Sequence, residues 1–158
     1  WIKMSKNNTI RVGVILIRDD KVLLTRINRD KNLTYVLPGG SLESREDIFQ
    51  AAKREVREET NLEINNLKLK YIKELYTEDD EHGIEFIFLA DIVGGELKLG
   101  YDPEYEDDPV LDEVKFFPFE ELEKMNFHPK QLISYLKNYK EDSNESLIHL
   151  GLFKYPEE

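Results

Sequence analysis

The chain contains no cysteine. That excludes a disulfide framework, a thiolate zinc site and a cysteine nucleophile. It has no run near the roughly 18 apolar residues that a membrane-spanning helix requires, and residues 1–8 lack the apolar core of a signal peptide. We therefore expect a cytoplasmic protein with no membrane partner, a flexible N-terminus over residues 1–8, and Met4 as its natural start. Positive charge is also in short supply: 22 Lys and Arg stand against 33 Asp and Glu, for a net charge of −11. Such a surface repels a phosphate backbone, which argues against DNA or long RNA as a partner. A small anionic substrate would be repelled as well, unless metal ions invert the field at its site.

What is present fits one globular domain over residues 1–158, with a real core: 40% of residues are hydrophobic and 35% charged. Alternation predicts strands at Thr9–Ile17 and Lys21–Arg26, joined by a turn at Asp19-Asp20, with a loop at Asn28–Leu33 and a short strand at Tyr35–Leu37. Further strands are expected at Leu67–Thr77, Gly83–Val93 (the most apolar, hence central), Glu96–Leu99 and Val114–Phe119. Tyr101–Asp112 is acidic and aperiodic and carries two prolines, so it reads as a loop. A short helix is expected at Phe119–Met125 and a last helix from Pro129 to Tyr139. Leu147–Tyr155 is apolar again, a tail strand or a docking segment, within a tail (141–158) that the pattern leaves undecided. The order of elements predicts a mixed sheet between helices, a layered α/β sandwich.

The most informative stretch is Leu37–Leu62. A turn is expected at Pro38-Gly39-Gly40, then a helix from Arg45 to Thr60 opened by Ser44 and Asp47 in a Ser-x-x-Asp capping pattern. On that helix Glu55, Glu58 and Glu59 stand three and four residues apart and share one stripe. Ala51 and Ala52 leave room beside it, and Ile48, Phe49, Ala52 and Val56 form the apolar face that seats the helix on the sheet. Like charges at this spacing repel. Lys53, Arg54 and Arg57 could lace a merely solvated acidic face. If the stripe is partly buried it needs a neutralising partner, and hard divalent cations with oxygen ligands fill that role.

The spacing Gly40, five residues, Glu46, seven residues, then Arg54-Glu55-Val56-Arg57-Glu58-Glu59-Thr60-Asn61-Leu62 closely resembles the Nudix box. Asn61 stands where the family has Gly. That position follows a helix end and calls for a left-handed backbone, for which Asn is the usual substitute. The resemblance implies a Nudix-type α/β/α sandwich with a mixed β-sheet, and metal-dependent hydrolysis of a diphosphate linkage in a small nucleoside diphosphate derivative. It assigns Glu55, Glu58 and Glu59 as ligands of Mg²⁺ or Mn²⁺, with the backbone at Gly39-Gly40 supplying a carbonyl ligand at Gly40 or a close approach to phosphates. Glu46 and Arg54 become a structural ion pair, and Glu58 or Glu59 shares in activating water.

Family members often draw a further acid from a later loop. Asp108 is the first choice as that catalytic group, from its spacing before the Glu113–Phe117 strand, with Glu104, Glu106, Asp107 and Asp112 as rivals. Arg26 and Arg29, with Lys31, could meet a substrate's phosphate, and Tyr76 could stack a base. The absence of cysteine weakens an isoprenoid diphosphate isomerase reading, and the −11 charge weakens an RNA-end one. A nucleotide-sensing module without turnover is the alternative, and a homodimer stays open.

Overall fold

The computed structural model describes residues 8–29, 31–78, 81–101, 110–139 and 146–154. Among these, nine strands form one curled mixed sheet. They are β1 (Asn8–Arg18), β2 (Lys21–Arg29), β3 (Asn32–Val36), β4 (Gly39–Ser41), β5 (Leu62–Tyr76), β6 (His82–Gly95), β7 (Leu111–Pro118), β8 (Phe127–His128) and β9 (Ile148–Lys154). Two α-helices, α1 (Ile48–Thr60) and α2 (Leu132–Lys137), and a 3-10 helix at Phe119–Lys124 cover its faces.

The alternation of β1 and β6 explains the layering. Val12, Val14 and Leu16 of β1 and Phe88 and Ala90 of β6 are buried against Ala51, Ala52 and Val56 of α1. The intervening Ile15 and Ile87 point to the opposite face, where Phe119, Leu122, Leu132 and Leu136 close the second layer. Each strand of this centre is thus buried on both sides, which is why its apolar residues run on without a polar break. The expected central strand does lie centrally: β6 runs between β1, its parallel partner, and β5, its antiparallel one.

Several boundaries differ from expectation. Asn28–Leu33 is not a loop: β2 continues to Arg29 and β3 begins at Asn32. Arg26–Asn28 and Leu33–Tyr35 pair across that hairpin. β5 starts at Leu62, five residues before the predicted Leu67, because Glu63, Asn65 and Asn66 mask the alternation while Leu62 and Ile64 are buried. Register shifts against β6 at Glu63/Ile64 and Asn65/Lys68 break its regularity. Glu96–Leu99 forms no strand. Its backbone turns instead onto the end of α1, where Lys98, Gly100 and Tyr101 donate N–H bonds to the carbonyls of Thr60, Glu59 and Glu58 at 3.1, 2.8 and 3.2 Å.

The last helix spans only Leu132–Lys137 rather than Pro129–Tyr139, and Pro129 follows a cis peptide bond. The apolar tail segment is a strand: β9 lies parallel to β5 at the sheet edge. No helix among the described residues is long and apolar enough to cross a membrane.

Candidate functional site

The site is built where α1 crosses β4. Its helix starts at Ile48, not Arg45, and its N-cap is Asp47, not Ser44. The Asp47 carboxylate accepts from the Phe49 and Gln50 N–H groups at 2.9 and 2.8 Å, and Gln50 returns a bond to the Asp47 N–H at 2.9 Å. Ser44 and Arg45 stay outside the helix, and Arg45 has a left-handed φ of 71°. The helix ends at Asn61, φ 59°, in the left-handed conformation that a helix C-terminus favours. Asn61 also does what glycine cannot: its side-chain amide donates to the Glu96 carbonyl at 2.8 Å, fastening the 96–101 segment to the helix end.

The expected turn at Pro38-Gly39-Gly40 is a bend at Pro38 only; both glycines belong to β4 and pair with Gly13 and Val12 of β1. A side chain on Gly40 would place its Cβ 2.4–2.7 Å from the Glu55 carboxylate atoms. The Gly39 N–H donates to Glu59 Oε2 at 3.0 Å. Two of the three acids of the stripe are therefore folded onto the glycine pair, and both are buried: Glu55 is 1% exposed and Glu59 4%. Ala51 and Ala52 are fully buried as well, so they serve packing rather than leaving open space. Phe49 is the exception on the apolar face, nearly half exposed, with its ring 5.1 Å from that of Phe88.

Arg54 organises the charge. Its guanidinium donates to both Glu46 oxygens (2.7 and 3.1 Å), to Glu55 Oε1 (2.8 Å), to Glu58 Oε2 (3.1 Å) and to the Ser41 carbonyl (3.0 Å). The Glu46 pairing was readable from the sequence; the bonds to Glu55 and Glu58 were not drawn, although Glu58 lies four residues on along the same face. These bonds hold Arg54 protonated far above its ordinary range and hold the Glu46 carboxyl below its ordinary value of 4.5. A carboxylate whose pKa is depressed on folding adds stability above its unfolded value, and that stability is lost as pH falls through the folded one. The acid limb of a stability–pH curve should accordingly flatten in Glu46→Gln, with a loss of about 1–2 kcal/mol at neutral pH. Denaturant unfolding at a series of pH values below 5 measures this, and identical slopes in the two proteins would refute it.

The remaining predicted residues are not gathered here. Arg26 is held by Asp112 at 2.7 Å and Glu113 at 3.1 Å, with Tyr35 alongside. Asp112, one of the rival acids, is kept below its ordinary range by Arg26 first and Asn28 second. Arg29 lies at the exposed end of β2. Tyr76, also exposed, ends β5 opposite His82. It stands four residues from Ile72, which shares a rung with Phe86, Val12 and Gly40, so roughly 13 Å along the strands and three strand spacings across them separate it from the glycine pair. Asp108, with Glu104, Glu106 and Asp107, falls outside the described residues.

The donor set suits a hard cation: three carboxylates, two of them buried, face a strand whose glycines leave space for nothing larger than hydrogen. As the side chains stand, no group of three acidic or imidazole residues among the described residues converges closely enough to hold an ion. Glu55 and Glu58 converge on Arg54 instead.

The solved structures that resemble this fold include a MutT protein from Bacillus halodurans (TM-score 0.70, 24% identity, 93% of this chain and 90% of that one). A hydrolase from Nitrosomonas europaea matches similarly (TM-score 0.72, 20% identity, 95% and 81%). By sequence, the chain is 34% identical over 134 residues to an ADP-ribose pyrophosphatase of Methanocaldococcus jannaschii, covering 81% of this chain and 73% of that protein. It is 33% identical over 112 residues to the NAD-capped RNA hydrolase NudC of Edwardsiella ictaluri, where it spans 71% of this chain and only 40% of the relative. A profile of the NUDIX domain matches residues 7–136. With that match covering most of its length, and with the box residues brought onto one helix against one glycine pair, the chain belongs to the Nudix family.

Proposed function

We propose that this protein hydrolyses the diphosphate linkage of a small nucleoside diphosphate derivative in a divalent-metal-dependent reaction. The observation that carries this reading is the seating of Glu55 and Glu59 against Gly40 and Gly39, with Glu58 beside them at the surface. Three acids in one stripe would repel one another, and the fold sets the Arg54 guanidinium between two of them and closes two of them away from water. An acidic protein that must attract an anionic substrate gains from such a store of negative charge only when cations fill it. The relatives named above, an ADP-ribose pyrophosphatase and an NAD-capped RNA hydrolase, share in their names a nucleoside bearing a diphosphate, which supports the same class here.

Glu55, Glu58 and Glu59, with the Gly40 carbonyl, would hold Mg²⁺ or Mn²⁺. Bound there, the ion would neutralise phosphate oxygens and lower the pKa of water. The protein's own part is positional. Glu46 and Ser41 fix Arg54, Arg54 fixes the Glu58 carboxylate, and the Gly39 N–H fixes Glu59. Glu58 keeps about a quarter of its side-chain surface open, so of the three it is placed to meet substrate or water from outside. Asp108 remains our candidate for a further acid.

The test is cleavage, followed by chromatography of the nucleotide products, of a panel of nucleoside triphosphates, ADP-ribose, dinucleoside polyphosphates and nucleotide sugars, with Mg²⁺, Mn²⁺ or EDTA. Cleavage of at least one substrate, dependent on the divalent ion, is expected. Binding of these compounds without cleavage of any would overturn the reading in favour of a nucleotide sensor.

A further inference from the structure

A feature that the box chemistry leaves unused is a groove of about 690 Å³ on the outer side of α1, walled by the helix and by Lys98–Tyr101. Its volume is within the range of small-molecule sites. Its charge runs against that of the protein. Among the described residues, Lys53, Arg54, Arg57 and Lys98 line it together with a single acid, Glu58, in a chain where acids outnumber bases by 33 to 22. Arg54 is committed to Glu46, Glu55 and Glu58. Lys53 and Arg57 are exposed and have no ion-pair partner among the described residues. They are also four residues apart on one helix face, so they repel one another until an anion lies between them. Lys98 faces them across the groove; its contact with Glu96, at 3.3 Å between two well-exposed side chains, is a weak, salt-screened one.

We propose that this groove is a subsite for an anionic terminal group of the substrate, a further phosphate beyond the diphosphate that is cut, held by Lys53, Arg57 and Lys98. The inference rests on the function proposed above and specifies the substrate class. Glu58 belongs both to the acid stripe and to the groove wall. A phosphate chain engaged at the stripe would pass Glu58 to enter the groove and meet these cations. The longer phosphate chain of a nucleoside triphosphate or dinucleoside polyphosphate would bring charge toward this position, whereas the terminal ribose of ADP-ribose would bring none. Tyr101, exposed at the groove's end, offers a ring to whatever the phosphate carries.

The experiment is a calorimetric titration of the full chain with inorganic tripolyphosphate, for the wild type and for the Lys53→Ala/Arg57→Ala double variant, at low and at physiological salt. Both side chains are exposed, so the variant should fold, and its circular dichroism checks that. A Kd at least tenfold weaker in the variant, with a shallower salt dependence, is expected; equal affinity, or no binding to the wild type, overturns the proposal. Where the panel shows turnover, the KM for a nucleoside triphosphate should rise about tenfold more than the KM for ADP-ribose, and equal rises would also overturn it. If the wild type hydrolyses nothing, the proposed reaction falls, and the tripolyphosphate titration still decides the groove.

Discussion

Glu58→Gln is expected to lower kcat on every substrate the protein cleaves by at least about a hundredfold, the upper end of what partners outside a metal's own ligand set cost. The substitution changes little else. The amide keeps the shape of the side chain and an oxygen that can still accept from Arg54 Nη1, now 3.1 Å from Glu58 Oε2. It removes one negative charge beside the expected cation site. A unit charge at 4 Å and an effective dielectric near 20 is worth about 4 kcal/mol, so a loss approaching a thousandfold is within reach. Glu58 is a cleaner test than Glu55, whose carboxylate is packed against Gly40, where an amide would leave a buried donor looking for a partner. Steady-state rates and a thermal melt together give the answer. Normal turnover by a folded Glu58→Gln protein would remove Glu58 from the site.

Gly39→Ala should be a severely damaging single methyl. A Cβ at Gly39 would stand 2.0 Å from the Val12 carbonyl oxygen and 2.9 Å from the Gly13 Cα, both backbone atoms of the strand it pairs with. Neither can rotate away, so β4 must separate from β1. The Gly39 N–H then leaves Glu59 Oε2, a buried acceptor. A loss on the order of 3 kcal/mol is expected, which lowers the melting temperature by roughly 6–12 °C for a chain of this size. Gly83→Ala is the control: its Cβ would meet nothing closer than 3.7 Å, and it should change stability by less than about 1 kcal/mol. Equal melting of the two variants would show that β4 is not held where it is placed.

How much of this was visible in the sequence varied with the range of the interaction. The acid stripe was legible because helical spacing alone puts Glu55, Glu58 and Glu59 on adjacent positions. The left-handed Asn61 was legible because a helix end demands it. The start of α1 was not, since Ser44 and Asp47 both satisfy a capping pattern. What separates them is the Asp47–Gln50 reciprocity and a left-handed Arg45, and only the first can be read from residue types. The hub formed by Arg54 was half visible. Its reach to the Ser41 carbonyl depends on β4 lying against the helix, which no local pattern encodes. Arg26 looked like a free cation near the glycines because its partners, Asp112 and Glu113, arrive from a strand 86 residues later. The groove escaped notice for the same reason. Lys53 and Arg57 share a face at readable spacing, but Lys98 joins them only because the segment expected to be a strand wraps the helix end.

That wrapping ties two things together. The carbonyls of Glu58, Glu59 and Thr60 are each satisfied by an amide of the 98–101 segment, and a methyl at Gly100 would lie 1.6 Å from the Glu58 oxygen, so the two backbones are in contact with no slack. The last turn of α1 therefore cannot fray without unfastening the groove's far wall, and the wall cannot lift without loosening the turn that carries the acids. By thermodynamic reciprocity, an anion that bridges the two sides must slow hydrogen exchange at the Lys98, Gly100 and Tyr101 amides, even though none of them touches it.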